Sequence, residues 1–109
     1  MSMTLNAAKA LAFTAGETLK TAKGLAKFGD DALPLAQESF KTVGAAVKQL
    51  NTRAAQGAIG GRVNFASDAH KAMKSLLTTV DSGSMPGIEA VTSAQARVDL
   101  LVRAVLQMP

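Results

Sequence analysis

The sequence predicts an all-α chain of four helices, arranged as two antiparallel hairpins that close into a bundle or stay elongated. Three observations carry this. Four stretches place apolar or small residues on alternating spacings of three and four, the pattern of a helix face packed on other helices. Alanine, the strongest helix former, is the most frequent residue. Clusters of Gly, Asp and Pro separate the stretches where the chain must turn. A single domain over 1–109 follows, with one hairpin at 4–56, a glycine-rich hinge at 57–62 and a second hairpin at 67–108.

The first helix is expected from Thr4 to Phe28. Its stripe is Leu5, Ala8, Ala12, Ala15, Leu19, Ala22 and Ala26, with Lys9, Lys20, Lys23 and Lys27 on the other side. Thr4 or Asn6 can cap its start, Glu17 can pair with Lys20, and Gly29 stops it. Asp30 and Asp31 then suit the positive end of a second helix, with Pro34 in its first turn. The stripe of that helix is Leu33, Ala36, Phe40, Val43, Val47, Leu50 and Ala54. The short link makes these two helices neighbours.

Gly57, Gly60 and Gly61 make a regular helix expensive and mark the hinge. A third helix is expected from Ser67, a good cap, to about Val80. Its apolar side is Phe65, Ala69, Ala72, Met73, Leu76 and Val80. The run Asp81-Ser82-Gly83-Ser84-Met85-Pro86-Gly87 is a turn signal. The fourth helix begins between Pro86 and Ser93 and carries Val91, Ala94, Val98, Leu101, Val105 and Met108, with Asp99 and Arg103 paired at i,i+4 on its outer side.

Composition bears on function. A buried alanine removes one methyl from water, whereas a leucine removes about four carbons at about 0.8 kcal/mol each. Alanine-lined faces therefore gain little from transfer and more from close approach. Trp and Tyr are absent, and Phe occurs only at positions 13, 28, 40 and 65. Small helical domains with thin cores commonly rely on a partner or on oligomerisation. The stripes are accordingly expected to face other copies. The self-association residues are Ala8, Ala12, Ala15, Leu19, Ala22, Val43, Val47, Leu50, Val98, Leu101 and Val105. Gly16, Gly24 and Gly44 lie inside predicted helices and are either tolerated surface glycines or points where another backbone comes close.

The chemical inventory is poor. There is no cysteine, and His70, the lone histidine, has no ligand three or four residues away, which leaves no metal site. Asp30 and Asp31 are explained by a helix N-terminus before any catalytic dyad. Gly24 and Gly29 have the interval of a phosphate loop, but Asp30 stands where lysine is needed. No catalytic, cofactor-binding or metal residue is expected, no cofactor, and no enzymatic activity. No apolar run reaches transmembrane length, and Lys9 and Glu17 interrupt the only stretch that could serve as a signal peptide.

The net charge is +4, and the whole excess lies in residues 1–62. Lys9, Lys20, Lys23 and Lys27 are the possible anion contacts. The leading expectation is a non-enzymatic structural subunit that self-associates, in a virion or a filament, with other structural proteins as further partners. The alternative is a small basic adaptor on nucleic acid or an anionic membrane. Salt separates the two, because lysine-mediated binding collapses as ionic strength rises. No motif assigns the chain to a family.

Overall fold

Thr4 opens the first helix in the computed structural model, which describes residues 2–109. Its hydroxyl accepts from the Ala7 amide at 3.1 Å, and α1 runs Leu5–Leu25. Backbone of 3₁₀ type covers Ala26–Ala32 and kinks at Gly29, whose φ of 63° and ψ of −148° suit only glycine. Helix α2 (Leu33–Leu50) follows, with Pro34 in its first turn. Its cap position is Ala32 and no side chain caps it. Asp30, expected there, instead accepts from the Met85 amide at 3.0 Å and ties the two loops of this end together.

The stripe expected to continue through Ala54 is interrupted. Helix α2 ends at Leu50, Asn51 leaves helical geometry at φ −99° and ψ 42°, and a short helix α3 (Arg53–Ile59) begins. Thr52 explains the break. Its hydroxyl donates to the Gln49 carbonyl at 2.7 Å and accepts from the Ala55 amide at 3.3 Å. It thereby satisfies an end of each helix and competes with a continuous ladder. Among the described residues there are therefore five α-helices where four were expected.

Gly60, at φ 60° and ψ −134°, ends α3, and a 3₁₀ turn over Gly60–Arg62 leads into α4 (Val63–Asp81). This helix starts four residues before the expected Ser67, which lies inside it. Helix α5 (Ile88–Leu106) completes the chain. The fold is all-helical, with no strand among the described residues.

Helix α1 lies against α2 and α5, and α4 lies against the same two. One apolar core fills the space between these four, and the molecule measures 40 × 21 × 18 Å. Its larger residues are Leu19, Phe40, Leu50, Ile59, Met73 and Leu101, set among alanines. The inward face of α4 is Ala66, Ala69, Met73, Leu76 and Val80, again on a 3, 4, 3, 4 spacing, while Phe65 turns outward.

Two helical glycines mark close approach. A Cβ on Gly16 would sit 3.2 Å from the Val102 side chain, and one on Gly44 would sit 2.9 Å from Leu77. Gly24 is different, because it is exposed in α1 with nothing within 4 Å. Gly24→Ala is expected to raise stability by about 0.5–1 kcal/mol, since alanine loses less backbone entropy in a helix. Urea denaturation reads this directly, and a lower midpoint would contradict helical geometry at position 24.

Candidate functional site

The eleven residues expected to contact other copies are all interior. Ala8, Ala12, Ala15, Leu19 and Ala22 of α1 have no exposed area, and neither have Val43, Val47 and Leu50 of α2 or Val98, Leu101 and Val105 of α5. The alanines allow α1 to approach its neighbours closely, so the stripes satisfy one another within one chain. They cannot serve as an outer association surface while the chain is folded. The expectation is corrected on that physical ground.

The lysine face is also partly occupied. The Lys9 ammonium donates to the Met108 carbonyl just beyond the end of α5, where carbonyls lack helical partners. Lys20 lies 3.9 Å from Glu17, with both side chains well exposed. Lys23 is half-buried and Lys27 exposed. Asp99 and Arg103 are not within 4.0 Å of each other; among the described residues Glu17–Lys20 is the pair that close. Of the hinge glycines, Gly57 lies inside α3, Gly60 provides its positive-φ stop, and Gly61 lies in the 3₁₀ turn. Ala55 and Ile59 anchor this segment in the core.

His70 is half-buried on α4. Burial holds its pKa below the ordinary 6.5, and the charges of Lys74 and Lys48 push it the same way. Because the folded pKa lies below the unfolded one, this residue contributes stability above about pH 6.5, and the contribution is lost as pH falls through the folded pKa. An NMR titration is expected to place the His70 midpoint below 6.5, and Lys74→Gln is expected to raise it. A midpoint at or above 6.5 would contradict the arrangement. No cluster of three His, Cys, Asp or Glu that could hold a metal occurs among the described residues.

Several grooves mark the surface of the described residues. One of about 430 Å³ lies between α4 and α5, floored by Ala72, Ala90 and Ala94, with Asp68, Lys71 and Arg97 also lining it. Arg97 is held on its own helix by the Ser93 carbonyl and hydroxyl, at 3.2 and 2.9 Å. A more apolar groove of about 500 Å³ lies beside α1, lined by Met3, Ala7, Ala10, Leu11 and Ala54 among others. The third, about 210 Å³, runs between α1 and α5 and is lined by Phe13, Gly16, Val102 and Leu106 together with Glu17, Lys20 and Asp99.

Most telling is where the aromatic residues lie. Phe40 is buried, but Phe13 is 56% exposed, Phe28 68% and Phe65 39%. Leu35, Ile88, Leu100 and Leu106 are exposed as well. Single exposed apolar residues are ordinary; here three of the four phenylalanine rings lie outside a core built largely of alanine. Comparison with family models, curated proteins and solved structures finds no match for this chain. Its function is therefore read from its own surface.

Sequence reasoning missed this outer set. Phe13 lies off the stripe expected for the first helix, and Phe65 is expected on the apolar side of the third. The available signal was that Phe13 follows the inward Ala12 by one position, about 100° around the helix.

Proposed function

We propose that this chain is a non-enzymatic structural subunit that self-associates, and that its contacts run through apolar side chains on the outside of the helices. The observation that carries this reading is the exposure of three of its four phenylalanines in a chain whose interior is largely alanine. Hydrophobic residues of this size lose water when another surface covers them, at roughly 25 cal/mol per Å² of apolar area. The helix pairs α1–α2 and α4–α5 together form the unit that assembles. Filaments and virion shells are the settings that use such subunits.

The exposed apolar residues are spread over more than one face. Phe13 and Leu106 flank the groove between α1 and α5, Phe28 lies in the link after α1, and Phe65 lies in the first turn of α4. A subunit with several separate contact points can extend an assembly beyond a dimer. The basic-adaptor reading has less support, because Lys9 and Lys20 already have partners on the molecule.

Light scattering with refractive-index detection across a dilution series tests the proposal. The wild-type chain should exceed its 11.2 kDa monomer mass and grow with concentration. A Phe13→Ser/Phe28→Ser/Phe65→Ser variant should remain helical and stay monomeric. A wild-type chain that is monomeric at every concentration would overturn the reading.

A further inference from the structure

We infer that copies of this chain stack end to end, the acidic end of one on the basic end of the next. The inference rests on the self-association proposed above and names the surfaces that meet.

The two ends of the 40 Å long axis differ in charge. One end is identified by three ties: the Met3 amide to the Ala54 carbonyl, Arg62 Nε to the Ala104 carbonyl, and Lys9 to the Met108 carbonyl. It gathers residues 2–9, 47–65 and 100–109. These segments hold Lys9, Lys48, Arg53, Arg62 and Arg103 and no acidic residue. The other end is identified by the bond from the Met85 amide to Asp30 and gathers residues 23–34 and 78–92. There Asp30, Asp31, Asp81 and Glu89 outnumber Lys23 and Lys27. None of these eleven groups forms an ion pair within 4.0 Å among the described residues.

Each end also carries exposed apolar side chains. Phe28 and Ile88 belong to the acidic end and Phe65 to the basic one. A contact between unlike ends is heterologous: it leaves each copy with a free end of either kind, so it propagates instead of closing at a dimer. Opposite charge aligns the copies and disfavours stacking of like ends. Lys9 and Arg62 are partly used by the Met108 and Ala104 carbonyls, which leaves Lys48, Arg53 and Arg103 as the exposed cations for the neighbour. Exposed charges of this kind are screened by salt, so the stacking must weaken as ionic strength rises.

Two neutralised variants test this. Lys48→Gln/Arg53→Gln removes charge from the basic end, and Asp31→Asn/Asp81→Asn removes it from the acidic end. Neither touches a core residue or the ties named above. Each alone should weaken association by about fivefold or more. Mixed in equal amounts they should form 1:1 pairs through their remaining native ends, more tightly than either associates alone. Wild-type mass should fall towards monomer at high salt.

Association that persists in high salt and is indifferent to both variants would overturn end-to-end stacking while leaving self-association in place. A wild-type chain that is monomeric at low salt would overturn both. Binding of anionic vesicles or heparin by the basic end, with no association between copies, would also overturn the stacking and assign that end to an anionic partner.

Discussion

Phe40→Ala is expected to abolish cooperative folding or leave the chain marginal. Phe40 is the one phenylalanine with no exposed area, and it lies at the centre of α2 among Val43, Val47 and the alanines of its neighbours. Truncating a buried phenylalanine costs about 3–5 kcal/mol, from lost transfer and from the cavity left behind. A domain of this size has a total stability of about 5–15 kcal/mol. The other core residues are mostly too small to move in and refill the space. Urea denaturation followed by circular dichroism measures the loss, and a change below about 1 kcal/mol would contradict the placement of Phe40.

The second large effect runs the other way in volume. Ala12→Leu inserts three carbons where α1 meets its neighbours, at a residue with no exposed area. Overpacking of a filled core costs about 1–3 kcal/mol. Ala10→Leu, two residues away on the exposed side of the same helix, should change stability by less than about 0.5 kcal/mol. In a domain of about this length each kcal/mol shifts the melting temperature by about 4–8 °C, so the pair separates clearly in a thermal scan. Equal melting of the two variants would mean that α1 does not lie against its neighbours through the alanine stripe.

The stripes of the first and last helices were legible in the sequence because spacing alone defines a helix face. Ala8, Ala12, Ala15, Leu19 and Ala22 are inward, as are Val91, Ala94, Val98, Leu101 and Val105. The error in α4 has a simple cause. Hydropathy favours Phe65 over Ala66 as the inward residue, yet helices at close range accept the alanine and leave no room for the ring. The break at residues 51–52 was visible only as an Asn-Thr pair. Its significance comes from the two hydrogen bonds of Thr52, which depend on the chain having already turned.

What a stripe packs against was not legible. An alanine-lined face can meet its own chain or a copy, and periodicity is the same in both cases. The structure supplies the missing term, the distance between helices, recorded by Val102 over Gly16 and Leu77 over Gly44. The charge difference between the ends was equally hidden. It needs Lys9, Arg53 and Arg103 to be brought to one end, which linear order does not show.

The central claim is that the alanine core is complete within one chain, so that association uses a separate outer surface. The most direct test is thermal unfolding followed by circular dichroism at a dilution where light scattering gives the 11.2 kDa monomer mass. The account predicts that the isolated monomer is fully helical, melts cooperatively and keeps its midpoint on further dilution. Loss of helix in step with dissociation would contradict it, because the stripes would then depend on a neighbour for their burial.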